Sequence, residues 1–169
     1  MEAMEVKKDI VKDIAVATET LFKTMVAMDL KYNSSFLAEE THIKTDISGL
    51  VSFIGKYHGT IGIFCSKKFS LKIASSMLME EITEVTTDVI DTVGEVSNMI
   101  AGNVKTKITE DYGEMELSVP IVMHGNGTMS VETGNTLISF YTKEPWLMTN
   151  FISDGETFNV GLLLKEFVG

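Results

Sequence analysis

Two polar residues three positions apart, Glu95 and Asn98, offer the clearest chemistry in this 169-residue sequence. On a helix, side chains at this spacing are neighbours on one face. A carboxylate beside an amide can bind a cation and orient a water molecule, because the amide both donates and accepts hydrogen bonds. Such pairs also arise by chance on solvated helix faces, so the spacing alone leaves a purely structural role open.

The residues around the pair have the periodicity of a helix over positions 86–109. Apolar residues recur at steps of three or four and define its buried face: Val89, Val93, Val96, Ile100, Val104 and Ile108. Four residues fall on a second face, nearly opposite: Asp91, Glu95, Asn98 and Gly102. We therefore expect the polar pair to be exposed to solvent while the apolar residues pack inward.

Two glycines in this helix do not suit a purely structural role. Gly94 and Gly102 lie in the helix interior, where each glycine costs about 1 kcal/mol relative to alanine. Gly102 is one turn beyond Asn98 on the same face. A missing side chain at that point would let another surface approach closely.

Composition and charge exclude several classes of function. With 44% hydrophobic and 22% charged residues, the chain is typical of a folded globular protein, and its length suits one domain over residues 1–169. A net charge of −10 argues against nucleic acid and anionic membrane partners. No apolar run approaches the roughly 20 residues that span a bilayer, and no signal-peptide core follows the charged N-terminus. We expect a cytoplasmic protein.

Hydrophobic patterning along the chain predicts an α+β fold in which an antiparallel sheet carries long helices on one face. Helices are predicted over residues 7–29, 69–80 and 86–109. Strands are predicted near residues 47–54, 60–65, 117–123, 136–142, 146–152 and 158–167. Residues 33–35, 57–59 and 125–127 are predicted to form loops or turns.

A weak internal repeat suggests a possible duplication. Residues 50–53 resemble residues 137–140, and residues 60–64 resemble residues 159–163. Both pairs follow a predicted long helix, as two copies of a helix-plus-strands unit would. Two unrelated strands of similar composition explain the likeness equally well.

Motifs for other chemistries are not found in the sequence. The three histidines are scattered, without cysteine or carboxylate partners at metal-ligand spacing. There is no Gly-x-Ser-x-Gly nucleophile motif and no phosphate-binding Gly-x-x-x-x-Gly-Lys loop. Cys65 is the single cysteine and lies in an apolar run, which favours a buried, inert thiol. We therefore expect no metal or cofactor bound by the chain itself.

The pattern Asp91-x-x-Gly94-Glu95-x-x-Asn98-x-x-x-Gly102-Asn103 resembles the signature of the CheC/CheX family of chemotaxis phosphatases. Flanking features are similar as well: the N-terminal helix with Phe22, Met25 and Met28, the strand at residues 59–63, and Leu117-Ser-Val-Pro120 after the long helix. The resemblance covers nearly the whole chain. It implies a CheC-like fold.

The resemblance also implies an activity. Family members remove the phosphate from the phosphoaspartate of a response-regulator receiver domain, and the required Mg²⁺ belongs to that receiver. Asn98 would then orient the attacking water, and Glu95 would pair with the receiver's lysine. The remaining motif residues are expected to contact the partner: Asp91, Gly94 and Gly102.

The resemblance leaves a second reading of function open. Related folds serve as non-catalytic signalling or flagellar-switch adaptors, so the chain could bind a receiver without changing its phosphate lifetime. Some family members carry the Glu-x-x-Asn pair twice. Here Glu19 is followed three positions later by Phe22, which makes a second site doubtful. One motif places the chain closest to the CheX branch, and by that analogy we expect a homodimer.

Overall fold

The computed structural model describes residues 8–38, 42–125, 136–139 and 145–167. Its helices are α1 (Lys8–Leu21), a π-helical turn (Phe22–Val26) that continues α1, α2 (Lys67–Leu78) and α3 (Thr87–Tyr112). Within the described ranges the strands are β1 (Lys31–Ala38), β2 (His42–Thr45), β3 (Ile47–Gly55), β4 (Tyr57–Cys65), β5 (Met115–Leu117), β6 (Ile121–His124), β7 (Thr136–Ser139), β8 (Trp146–Ser153) and β9 (Glu156–Glu166).

Seven of the described strands form one antiparallel sheet. Its order is β1-β8-β9-β4-β3, and β5 and β6 both pair with β3 at the far edge. The strands β2 and β7 pair separately. The predicted α+β architecture is confirmed: side chains from α1, α2 and α3 share one core with one face of this sheet.

The two faces of the sheet bury different clusters. On β4, Ile61, Ile63 and Cys65 pack with the helices, whereas Phe64 belongs to a second cluster with Trp146 and Met148. This division follows from the period of two along a strand, which sends successive side chains to opposite faces. The helices therefore all lie on one side of the sheet.

Helix α3 lies against β3 through an unusually close contact. A Cβ atom on Gly49 would overlap Oγ of Ser97, so only glycine allows the helix to approach this near. The Ser97 hydroxyl is buried and donates to the Val93 carbonyl oxygen at 2.6 Å, which satisfies it within the helix. This contact sets which face of α3 is turned away from the sheet.

Several predicted boundaries were wrong. Residues 33–35 lie in β1 rather than in a loop, because β1 pairs with β8 and Asn33 donates to the Asn150 side chain at 2.9 Å. The predicted turn at 57–59 belongs to β4, which pairs with β9 from Tyr57 onward. The predicted helix 7–29 ends earlier, at Ala27, whose φ of 57° is left-handed.

The predicted strand at 117–123 is two strands. Between β5 and β6, Ser118 bonds to Ser52 of β3 and Pro120 supplies no N–H for a ladder. Strand β2 was not predicted. The end of the predicted strand 136–142 and most of the predicted turn 125–127 fall outside the described residues.

The long helix and the short helix before it were predicted closely. Helix α3 occupies Thr87–Tyr112 where 86–109 was predicted, and α2 occupies Lys67–Leu78 where 69–80 was predicted. Ser66 caps α2 by accepting a hydrogen bond from the Phe69 N–H at 3.0 Å. Among the described helices, none is long and apolar enough to cross a bilayer. The duplication stays a prediction.

Candidate functional site

The polar pair lies on the exposed face of α3. Glu95 and Asn98 are both exposed, whereas Val96 and Ile100, on the other side of the same turns, are fully buried. Neither polar side chain forms a hydrogen bond or ion pair with another described residue. The helix thus presents a carboxylate and an amide whose hydrogen-bonding groups are available to a partner.

The same face continues to both sides of the pair. Asp91, one turn before Glu95, is exposed. Gly102, one turn after Asn98, is half-buried, and a Cβ atom built on it would meet nothing within 4 Å. The space above Gly102 is therefore open to solvent. Its role as a point of close approach for a partner stays a prediction.

Gly94 occupies a different place from the other motif residues. It is buried, and a Cβ atom on it would lie 3.3 Å from Cγ2 of Val122 and 3.8 Å from Cγ of Pro120. Gly94 therefore takes part in the packing between α3 and the β5–β6 segment. The expected partner contact at Gly94 stays a prediction.

The packing of Gly94 identifies a neighbour of the site that sequence reasoning missed. Residues 118–120 connect β5 to β6 and reach α3 at Gly94, beside the polar pair. The sequence contains no signal for this proximity, since it arises from the pairing of β5 and β6 with β3. One side of the site is thus bordered by residues that follow α3 in the chain.

Three surface clefts lie elsewhere in the described part of the molecule. Their volumes are about 370, 550 and 350 Å³, and their linings include neither Glu95 nor Asn98. A site on an exposed helix face has no walls of its own to exclude water. Any reaction there requires a second surface to close over the pair.

Other reactive groups are remote or inert. Cys65 is buried as predicted, and burial, together with the nearby negative charge of Asp46, raises the pKa of its thiol to about 12. The thiol is therefore protonated at neutral pH and is a poor nucleophile. Within the described ranges, no three His, Cys, Asp or Glu side chains are grouped so that they could hold a metal ion.

The corresponding positions of α1 form no second site. The Glu19 carboxylate accepts a hydrogen bond from the Tyr32 N–H at 2.6 Å. Phe22 is fully buried and stacks on Phe69 and Phe158, with ring centroids 6.3 and 5.2 Å away. The exposed pair on α3 therefore has no counterpart at these two positions.

Comparison with known proteins gives a consistent family. The sequence model of the family described as "Chemotaxis phosphatase CheX" matches residues 47–143, more than half of the chain and all of α3. A search among curated proteins found no match.

Solved structures agree in fold. A CheX chemotaxis protein from Desulfovibrio desulfuricans is 26% identical, with a TM-score of 0.81 over 92% of this chain and 99% of that one. A CheC-like superfamily protein from Shewanella sp. PV-4 is 25% identical, with a TM-score of 0.80 over 95% and 99%. A CheX–CheY–BeF₃–Mg²⁺ complex from Borrelia burgdorferi matches at 20% identity, with a TM-score of 0.72 over 94% and 99%.

The match of the family model over α3 and the shared fold lead to one assignment. The exposed acid–amide pair lies inside the matched region, on the helix that the fold presents to solvent. This chain belongs to the CheX family of chemotaxis phosphatases.

Proposed function

We propose that this protein hydrolyses the phosphoaspartate of a response-regulator receiver domain, with Asn98 orienting the attacking water and Glu95 pairing with the receiver's lysine. The observation that carries the proposal is the exposure of both side chains on one face of α3, with no partner among the described residues. The complex of a similar fold with CheY, BeF₃ and Mg²⁺ supports a receiver as the partner.

The division of labour follows from the charges of the two groups. A phosphoryl group is anionic, so a neutral amide can approach it without repulsion while both donating to and accepting from a water molecule. A carboxylate would be repelled by the phosphoryl group but is attracted by a cation. Asn98 therefore suits the water, and Glu95 suits a lysine on the receiver. Asp91 adds a second negative charge one turn away on the same exposed face.

The reaction requires positioning more than a strong base. The oxygen of the oriented water forms a bond to phosphorus while the bond from phosphorus to the aspartate oxygen breaks. The products are the free aspartate carboxylate and inorganic phosphate, and the water protons pass to the phosphate and to solvent. The receiver supplies the acyl phosphate, its lysine and the Mg²⁺ that neutralises charge on the phosphoryl oxygens. This chain supplies Asn98 for the water and Glu95 for the lysine.

The substitution Asn98→Ala tests the mechanism. We expect it to slow stimulated dephosphorylation about 100-fold, since loss of orientation at the reacting centre has effects of that size. The measurement is the release of inorganic phosphate from a CheY-type receiver phosphorylated by a small-molecule donor. Glu110→Ala is the matched control, because Glu110 is also exposed on α3 but lies about 18 Å farther along the helix.

The same assay decides between an enzyme and an adaptor. A receiver whose phosphate decays equally fast with and without the wild-type protein, while binding it, would establish the non-catalytic adaptor instead. Wild-type activity in the Asn98→Ala variant would remove the proposed role of Asn98 but not the phosphatase activity. Glu95→Gln should raise KM about tenfold with a smaller effect on kcat, as expected for a lost interfacial charge pair.

We further infer that the protein is a homodimer. Among the described strands β1 pairs only with β8, so its outer edge is unpaired, and it carries three exposed large apolar side chains: Tyr32, Phe36 and Leu37. An open edge of this kind is a template for pairing with a second chain. Light scattering after size-exclusion chromatography should give twice the chain mass of 18.6 kDa. A Phe36→Glu variant should shift that mass toward the monomer.

A further inference from the structure

The segment that joins β5 to β6 borders the polar pair and presents an exposed apolar side chain, Val119. We propose that Val119 is a docking contact for an apolar side chain of the receiver, next to the receiver's lysine, and that it sets affinity rather than the rate of the chemical step. This inference rests on the proposed function. It adds an apolar contact beside the exposed polar side chains of Asp91, Glu95 and Asn98.

The position of this segment follows from its contact with α3. Cγ of Pro120 lies 3.8 Å from the point where a Cβ of Gly94 would be. Gly94 immediately precedes Glu95, and Asn98 is one turn farther along, rotated by about 40° around the helix axis. Val119 is bonded to Pro120, so its Cα lies about 3.8 Å from that of Pro120. A receiver that covers Asn98 therefore comes within reach of Val119.

Hydrogen bonds to β3 hold the segment in place. The Ser118 N–H donates to the Ser52 carbonyl oxygen at 3.0 Å, and the Ser52 N–H donates to Ser118 Oγ at 2.9 Å. The Ser118 hydroxyl also donates to the Val119 carbonyl oxygen at 3.0 Å. Ladder pairing continues on both sides, through β5 before the segment and β6 after it. Val119 is thus presented on an anchored backbone, so binding orders little that was mobile before.

The side chain of Val119 is highly exposed for an apolar residue whose backbone is held in place by hydrogen bonds. Its relative accessibility is 80%, although Pro120 beside it is half-buried against α3. Burying a valine side chain at an interface removes apolar surface from water, which favours association. The adjacent acidic groups, Asp91 and Glu95, select a positively charged group on the partner. The chemistry of the whole face therefore fits a receiver surface with a lysine beside an apolar side chain.

The neighbouring Ile121 provides a matched control within the same segment. It is 59% exposed, but it pairs with Leu50, which packs with the cluster on the sheet face opposite the helices. Val122, by contrast, pairs with Gly49 and contacts Gly94 on the helix side. Because successive strand residues alternate, Ile121 points away from α3 and from any partner bound there.

The test compares Val119→Ser with Ile121→Ser in the full-length protein. A CheY-type receiver is phosphorylated by a small-molecule donor, and phosphate release gives KM and kcat. We expect Val119→Ser to raise KM about tenfold with kcat within about twofold of wild type, since loss of one buried valine contact is of that size. Ile121→Ser should leave both constants unchanged. Thermal unfolding of both variants should match wild type because both side chains are exposed.

Three results would overturn the inference: an unchanged KM for Val119→Ser, an equal rise in KM for Ile121→Ser, or a fall in kcat alone. Asn98→Ala, measured in the same series, separates this failure from failure of the proposed function. If Asn98→Ala is inactive while Val119→Ser behaves as wild type, the phosphatase stands and the docking contact does not. If the wild-type protein fails to accelerate phosphate release, the proposed function fails, and the binding of the BeF₃- and Mg²⁺-loaded receiver to both serine variants then tests Val119 directly.

Discussion

Helices α1 and α3 pack on the same face of one sheet and each carries a glutamate, yet they use the position three residues later in opposite ways. On α3 that position is the exposed Asn98, and after Glu19 of α1 it is the buried Phe22, the first residue of the π-helical turn that continues α1. Glu95 has no described partner, whereas the carboxylate of Glu19 accepts a hydrogen bond from the β1 backbone at Tyr32. Equal spacing in the sequence therefore yields a reactive site on one helix and structural support on the other.

The cause of the difference is how each helix meets the sheet. Helix α3 runs without interruption across the pair, so the positions of Glu95 and Asn98 stay on one face. Phe22 lies four and eight residues after Thr18 and Ile14, which are also fully buried, so it continues the buried face of α1 and stacks on Phe69 and Phe158. The position three residues after the glutamate thus faces solvent on α3 and the core at the end of α1.

The largest effect predicted by this comparison is at Phe22. Phe22→Ala should lower the free energy of unfolding by about 3–5 kcal/mol, because it removes a fully buried aromatic ring and leaves a cavity in the core. Asn98→Ala should change it by less than about 0.5 kcal/mol, since the residue is exposed. Denaturant unfolding followed by circular dichroism measures both values. Equal stability losses in the two variants would contradict the assignment of structural and chemical roles.

The second effect concerns the close packing of α3 against β3 at Gly49. Gly49→Ala should cost about 1–3 kcal/mol of stability, because the added methyl overlaps Ser97 Oγ and the helix must move. A displaced α3 also shifts Asn98, so kcat should fall while the side chains of the site remain intact. The double variant Gly49→Ala, Ser97→Ala should recover part of the stability. Unchanged stability in the single variant would show that this contact does not position the helix.

The third effect separates the two glutamates. Glu19→Gln should lower stability by about 1 kcal/mol through its weakened hydrogen bond to the Tyr32 N–H, with unchanged dephosphorylation kinetics. Glu95→Gln should show the reverse pattern, with unchanged stability and a raised KM. Thermal unfolding and phosphate release, measured on the same preparations, give both quantities. A loss of activity in Glu19→Gln without loss of stability would point to a second site on α1.

The smallest effect is at Gly102. Gly102→Ala should raise stability by up to about 1 kcal/mol, because alanine favours the helix and its Cβ meets nothing within 4 Å. The same methyl would stand where a receiver is proposed to approach, so KM should rise. A variant that is both more stable and fully active would show that the open space above Gly102 has no part in docking.

The regular parts of the molecule were the easiest to predict. The repeat of valine and isoleucine in α3 located both the helix and its exposed face. A pattern with a period of 3.6 residues that continues over more than 20 residues clearly indicates a helix. Strand β1 was missed because Asn33, Ser34 and Ser35 favour turns, whereas their strand state depends on pairing with β8 far along the chain. Local propensity carries no information on that pairing.

The sequence by itself determined the chemistry of the candidate site: the acid, the amide and the apolar stripe that turns them outward. Those properties depend on helical periodicity, which is local. Only the tertiary structure decided that Gly94 is buried against Val122 and that the segment 118–120 reaches α3 at Gly94. It also decided that Glu19 and Phe22 support the fold. These outcomes depend on contacts between segments distant in sequence, and packing of the whole chain selects them.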